Sequence, residues 1–507
     1  MKKSVRRLVI ISFFLIIIFF GLFKVVNFDF GWHLKTGEYI YTSKSIPKQD
    51  IFSYIAAGNK WIDSHWLFQL VLYLFYSIGG TNGVVLLRIL VLLLAFGFLF
   101  YTIYRQEYFL VSILISIFAL FISFQRFLLR PEIFTFLFLT VFFYFTERFS
   151  KHPRLSLVII PLCQIVWANM HGLYVLGIIF LLFYLLGDLF QMLLSRYISV
   201  VPKVEISPGE WKQKGVLFCL TCIASLINAN GKDGILYPYK IFYELRTKTT
   251  VFSRVTELIS PFSAKHLPFP DPSIIYKIFL ALSVLAIICN IKRFRLGHIL
   301  PYGAFMYLSF LAIRNMPLFA IIATPVTIKN INDILDFLRK KTEKWPLARS
   351  VFSLSISSCF ILFAVFVCVF IANNGIYKRL NYLRTFGIGE SDYYPSEAVN
   401  YLKDKDIEGN IFNSSDIGGY LIWKIYPRKQ VSLDGRWEVY GDFVNNIQYL
   451  QSPLYFTQLT AKYNIHAIIL HKRSWEIQLM GPWLQRSPYW RLTKNTNNAI
   501  VFERYNF

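Results

Sequence analysis

WLFQLVLYLFYSIGG, residues 66–80, decides how this chain crosses a membrane. It is apolar and uncharged, but it has only 15 residues, and a membrane span needs roughly 17–25. Further apolar runs lie around it, near 8–26, 84–104, 108–125, 131–147, 156–170, 172–194, 215–230, 273–291, 296–313, 316–330 and 349–371. In lipid every backbone N–H and C=O must be paired within its own segment, so these runs are expected as helices. If 66–80 were a full span, the basic connections 147–154, 195–214, 291–295 and 329–349 would all lie outside, against the positive-inside bias. If it is short, interfacial or re-entrant, all four join the N-terminus in the cytoplasm. That second reading leaves about eleven spans and places the tail outside.

The composition agrees with a membrane protein. Of 507 residues, 55% are hydrophobic and 16% charged, and the mean hydropathy is +0.47, which excludes an ordinary soluble domain. The formal charge of +24 is scattered over short loops. Positive-inside bias and anionic headgroups account for that better than nucleic acid does. All six cysteines fall within apolar runs, so no disulfide framework is expected, and Cys219 and Cys222 have no second ligand pair for zinc. The start, MKKSVRRLVIISFFLIIIFFGLF, reads as an uncleaved signal anchor with its N-terminus in the cytoplasm.

These features predict an α-helical polytopic membrane protein with a small C-terminal α/β domain outside. The membrane domain is expected over 1–371, with a first outer loop at 27–65 and a long outer loop at 228–272. The soluble domain is expected over 372–507, where 410–423, 429–437 and 463–471 contain short β-like runs and 490–504 reads as a hairpin. Asp434-Gly435-Arg436 is expected to follow a strand, where binding residues are often presented.

On this topology the residues suited to chemistry share the outer face. Asp29 stands three positions past Val26, at the edge of the first apolar run. A carboxylate there is partly desolvated and able to act as a base. Trp32, His33, Asp63 and His65 lie in the same loop, and a helix starting at Asp29 would put Asp29 and His33 on one face. Arg126 and Arg130 precede the run at 131–147, and Glu132 lies in its first turn. Asn169 and His171 lie in NMHG. Arg254, Glu257 and Lys265 fall in the long loop, and Arg314 stands between two apolar runs. Several cations at one membrane surface suit a phosphate held at headgroup depth. A sugar on a polyprenyl phosphate fits that layout. Displacement at its anomeric carbon needs an acceptor oxygen activated by a base, and the leaving phosphate needs charge stabilisation rather than a proton.

The pattern D-x-x-W-H-L-x-x-G-x-x-I from Asp29 to Ile40, then I-P-x-x-D-x-F-S-Y from Ile46 to Tyr54 and W-x-D-x-H-W-L from Trp61 to Leu67, carries a resemblance. With the later RPE, NMHG and VSLDGRWEVYG stretches, it resembles a bacterial group placed with the GT-C membrane glycosyltransferases. That superfamily includes protein mannosyltransferases, aminoarabinose transferases and the oligosaccharyltransferase catalytic subunit. The resemblance implies a sugar transferase of the bacterial cytoplasmic (inner) membrane, with Asp29 as general base and His33 beside it. It also implies a polyprenyl-phosphate-linked donor, a lipid, glycan or protein acceptor, and substrate contacts from Trp32, Asp63, His65, Arg126, Arg130, Glu132, Asn169, His171, Arg254, Glu257, Arg314, Asp434 and Arg436. Many members pair two acids in the first loop. Here Phe28 and Phe30 flank Asp29, which leaves Glu38, Asp50 or Asp63 as second acids and leaves a divalent metal open. A transporter or flippase of a lipid-linked glycan, and a non-catalytic envelope scaffold, are the competing readings. A transporter tends to show internal repeats and polar groups at mid-membrane; no clear repeat is visible here.

Overall fold

The computed structural model describes residues 3–198, 201–203, 206–247, 256–263, 267–341, 346–405 and 407–505. The chain forms two compact units: 1–23, 85–246 and 252–387 make the first, and 24–84, 247–251 and 388–507 the second. The first loop thus clusters with the tail, a grouping that the sequence boundary at 371/372 does not show.

Among the described residues the first thirteen helices of eight or more residues are α1 Lys3–Gly21, α2 Phe30–Ser43, α3 Trp66–Ile103, α4 Phe109–Ser123, α5 Glu132–Glu147, α6 Pro153–Met170, α7 Val175–Leu194, α8 Pro208–Ser225, α9 Gly231–Thr247, α10 Pro272–Cys289, α11 Leu296–Leu311, α12 Met316–Lys341 and α13 Pro346–Ala372. Their starts follow local chemistry. Proline opens α6, α8, α10 and α13, where its missing N–H costs nothing. Ser207 Oγ accepts from the Glu210 amide, and Asp271 Oδ1 accepts from the Ser273 amide, satisfying donors left open in a first turn.

Among the described residues eight helices are long and apolar enough to cross a membrane. The sequence suggested about eleven. The difference lies in three runs: α5 and α11 have 16 residues each, and α8 carries Glu210, Lys212 and Lys214 in its first half. The segment 66–80 is separated from the helix after it, because α3 breaks at Gly80 (φ 57°, ψ −143°). Only glycine adopts that backbone readily.

In the first unit α12 is the central helix. Met316, Leu318, Phe319, Ala320, Ile321, Ile322 and Ala323 are all buried, around its whole circumference. By contrast α13 exposes Leu362, Val365, Phe366 and Val369, a surface fit for lipid. An ion-pair network ties five helices of this unit. Asp188 on α7 binds Lys214 of α8 at 3.1 Å and Arg295, just before α11, at 2.9 Å. Glu147, the last residue of α5, accepts from Tyr184 of α7 at 2.6 Å, pairs with His298 of α11 at 2.6 Å and lies 3.6 Å from Lys329 of α12. Each buried charge faces an opposite one, as burial demands.

The tail adds α14 Ser396–Asp404, α15 Gly418–Ile425, α16 Pro453–Tyr463 and α17 Trp475–Leu484 around strands β1 Asn410–Asn413, β2 Ile465–His471, β3 Trp490–Asn495 and β4 Ala499–Arg504. The sheet order is β1-β2-β4-β3, with β1 parallel to β2 and the other pairs antiparallel. The hairpin expected at 490–504 is β3–β4. The stretch 429–437 forms no strand; Val431 makes a single parallel bridge to Ser53. Asp434 therefore follows an isolated bridge and not a strand. Beneath the sheet, Ser415 donates to buried Glu476 through both its amide (2.8 Å) and its hydroxyl (2.5 Å). Asp416 accepts from or pairs with His471 Nδ1 at 2.9 Å. Burial, with Asp416 adding repulsion, raises the Glu476 carboxyl to about 7.

Candidate active site in the first loop and the tail

Asp29 occupies the position before α2, half-buried, with its amide donating to Asn27 Oδ1 at 3.2 Å. The Trp32 indole N–H donates to Asp29 Oδ1 at 3.4 Å. Two close backbone approaches hold this corner. A Cβ on Gly31 would meet the Gly419 carbonyl of α15 at 1.9 Å, and one on Gly435 would meet Asp29 Oδ1 at 2.3 Å. Any side chain at either glycine would displace the carboxylate or the helix that carries it.

Trp32 links this carboxylate to the histidines. Its ring centroid lies 3.6 Å from that of His33, and His33 faces His65 (5.7 Å) and Phe68 (5.1 Å). Gln69 Nε2 lies 3.5 Å from His33 Nδ1 and donates to Asp63 Oδ1 at 3.0 Å. Asp63 also accepts from the His65 amide at 3.1 Å. Burial pushes the Asp63 carboxyl up to about 7, against the pull of its hydrogen bonds and of Arg436. Burial lowers His65 to about 4, so its imidazole is neutral at physiological pH.

Under this corner lies a charged hub. Arg436 is buried, and its Nε donates to Asp434 Oδ1 at 2.9 Å. Its Nη2 binds Asp434 Oδ2 at 2.6 Å and Asp50 Oδ1 at 2.7 Å. The guanidinium lies 4.6 Å from the Trp61 ring centre and 5.1 Å from that of Phe52. Asp50 further accepts from the Ser53 amide (3.0 Å) and hydroxyl (2.5 Å), and Tyr440 donates to Asp434 at 2.9 Å. Asp434 and Asp50 both bind the Arg436 guanidinium and fix the turn that presents Gly435 to Asp29.

The other expected residues lie in the first unit. Arg126 donates through Nε to Glu132 at 2.9 Å and also binds Glu257. Arg130 Nη1 stands 3.6 Å from the same Glu257 oxygen. Burial alone would raise the Glu257 carboxyl, but Arg126, Arg130 and Arg314 together hold it at about 2. Three arginines therefore face two carboxylates. Arg384, which the sequence reading passed over, donates through Nη1 to the Phe124 carbonyl at 2.8 Å and pins the turn that carries Arg126. Asn169 bonds the Ile227 carbonyl (2.8 Å) and the Ala229 amide (3.0 Å), and His171 Nδ1 meets the Thr135 hydroxyl at 2.8 Å. Arg254 and Lys265 lie outside the described residues. Among the described residues no three His, Cys, Asp or Glu side chains converge as a metal set.

No protein-family model matches this sequence, and no curated protein does. Solved structures do. The chain is similar to the archaeal oligosaccharyltransferase AglB from Archaeoglobus fulgidus, in complex with an inhibitory peptide and a dolichol-phosphate. The TM-score is 0.56 at 12% identity, over 95% of this chain and 71% of that one. It is also similar to ArnT from Cupriavidus metallidurans bound to undecaprenyl phosphate, with TM-score 0.51 at 10% identity over 98% of this chain and 97% of that one. The chain shares the fold of these structures. The fold class expected from the first-loop pattern is therefore the one observed, and the likeness extends over nearly the whole chain. At such identities the likeness is one of fold, so the chemistry has to be argued from the residues.

Proposed function

We propose that this GT-C-fold chain is a membrane glycosyltransferase that moves a sugar from a polyprenyl-phosphate-linked donor to an acceptor on the outer face. The observation that carries the reading is the half-buried Asp29 carboxylate. It stands at the start of α2 in the first loop, held by the Trp32 indole and backed by Gly435. The similar AglB and ArnT structures, recorded with dolichol-phosphate and undecaprenyl phosphate, support a lipid-linked donor.

In this reading an Asp29 oxygen takes the proton of the acceptor nucleophile as the nucleophile bonds to the anomeric carbon. The glycosidic C–O bond breaks, and its electron pair leaves with the phosphate. The leaving phosphate needs cationic stabilisation, and within the first unit Arg126, Arg130 and Arg314 carry more charge than Glu132 and Glu257 and suit such a group. Trp32, His33, Asp63 and His65 shape the wall beside the base. Asp434 and Arg436 act as positioning residues through Gly435. The N-terminus is cytoplasmic, the tail is outside, and the membrane is the bacterial inner membrane.

The test is a mass-spectrometric profile of surface glycans and lipid-linked sugars from wild type, deletion and Asp29→Asn strains with matched expression. Loss of one sugar from an acceptor, with build-up of its lipid-linked donor in both mutants, is the expected result. A profile changed by deletion but not by Asp29→Asn would move the transporter or scaffold reading ahead.

A further inference from the structure

The tail holds a cavity of about 230 Å³. Its walls come from the end of α14, from β1, from the last turn of α15 and from the loop after it. Among the described residues five that line it are cationic, namely Lys403, Lys405, Lys424, Arg428 and Lys429, and none is acidic. Lys405 pairs with Glu503 at 2.8 Å, Lys424 pairs with Glu390 at 2.7 Å, and Arg428 Nη1 donates to the Lys403 carbonyl at 3.0 Å. Lys429 Nζ donates to the Ile407 and Gly409 carbonyls at 2.5 and 3.1 Å, which fixes its position without neutralising it. Among the described residues neither Lys403 nor Lys429 has a carboxylate within ion-pair distance. Asp404 and Glu408 belong to the same stretch but do not line the cavity.

The wall is also built rather than loose. Tyr426 packs edge-on against buried Phe52 at 4.9 Å, and Ile411 and Ile425 form a buried apolar floor. A basic rim over an apolar floor with one aromatic side suits an anionic group carried on a small polyol or sugar. The volume is below the roughly 300–1,000 Å³ of drug-sized pockets, so it fits one such unit. α15 packs on α2 at one end, where Gly419 meets Gly31, and forms the cavity wall with Lys424 at the other. The rise from Gly419 to Lys424 is roughly 7.5 Å at 1.5 Å per residue.

We propose that this cavity is an anion site for a phosphate ester on a glycerol- or sugar-sized unit. The proposal concerns binding and stands whether or not Asp29 is a base. The phosphate could belong to a water-soluble or polymeric ester or to a lipid headgroup, and the test separates these sources. Full-length protein in uncharged detergent is titrated calorimetrically with glycerol 3-phosphate, with sodium chloride holding the ionic strength constant. Saturable binding is expected, weakened at least tenfold in Lys403→Gln and further in Lys403→Gln/Lys424→Gln, but unchanged in Lys462→Gln. The titration is then repeated in phosphatidylcholine and phosphatidylglycerol nanodiscs. Competition confined to phosphatidylglycerol assigns the site to a headgroup, and equal binding in both assigns it to a soluble or polymeric ester. Absence of saturable binding in wild type, or equal binding by the Lys403 variants, would overturn the proposal. The Lys462→Gln control and unchanged unfolding temperatures keep misfolding from imitating the expected loss.

Discussion

Asp50 in the first loop and Arg436 in the tail meet at 2.7 Å with both side chains fully buried. Asp434 holds the same guanidinium at 2.6 Å, so one cation serves two carboxylates in a place that water does not reach. Removing one member of such a set leaves a buried charge without compensation, at about 3–5 kcal/mol. Arg436→Met is expected to lower the unfolding temperature of the full-length protein by several degrees and to abolish transfer. Arg436→Lys should restore part of the stability but little activity, because an ammonium cannot bridge two carboxylates in the fork geometry. Unfolding temperatures and sugar transfer, measured on the same preparations, check both.

Asp29→Asn should behave in the opposite way. The amide keeps the volume and can still accept from the Trp32 indole, so stability should change by less than about 0.5 kcal/mol. Transfer should fall by two orders of magnitude or more if the carboxylate takes a proton. Trp32→Phe, which removes the hydrogen bond at Asp29 Oδ1, should reduce transfer by less than Asp29→Asn does. A Trp32→Phe variant with no loss at all would show that the indole does not position the base.

How much of this was legible beforehand follows from the range of each interaction. The special place of Asp29 could be read because it depends on one apolar run ending at Val26. The break near Gly80 could be read from the length of 66–80, and the β3–β4 hairpin from its turn residues. Asp50 and the Asp434-Gly435-Arg436 turn were each noticed, but their partnership could not be, since no local pattern ties residues that meet only after folding. The strand expected at 429–437 failed for a related reason. Its apolar residues are buried against the first loop through the bridge to Ser53, not in the sheet. Arg384 was passed over because its acceptors are backbone carbonyls, which sequence does not distinguish.

The network around Asp188 gives a prediction independent of catalysis. Asp188→Ala would leave Lys214 and Arg295 facing each other without their shared carboxylate. A loss of about 3–5 kcal/mol is expected. The double variant Asp188→Leu/Lys214→Met should recover part of it, because an apolar pair of similar volume avoids the desolvation cost. Denaturation of wild type and of the two variants in one detergent measures the loss and the recovery. A double variant no more stable than Asp188→Ala would show that Arg295 alone sets the cost.

The pH dependence of stability should carry opposite contributions from neighbouring groups. Asp63 and Glu476 are raised to about 7 by burial, above the values of about 3.9 and 4.3 expected for exposed carboxyls. Between those values and 7 the folded chain holds a proton that the unfolded chain has released. Their contribution is therefore fully present at low pH and is lost as pH rises through 7, with a slope of up to about 1.4 kcal/mol per pH unit for each group. His65, lowered to about 4 by burial, acts the other way, since the unfolded chain takes up the proton and stability rises with pH from 4 toward 6.5. A single wild-type curve would blur these terms, but differences between variants separate them. The stability of Glu476→Gln relative to wild type should increase from pH 5 to pH 8, and Asp63→Asn should show the same trend. His65→Gln should lose relative stability over pH 4.5–6.5. Thermal unfolding at half-unit pH steps reads all three differences. A flat difference curve for Glu476→Gln would mean that Glu476 is ionised in the folded protein across the range, despite its burial beside Asp416.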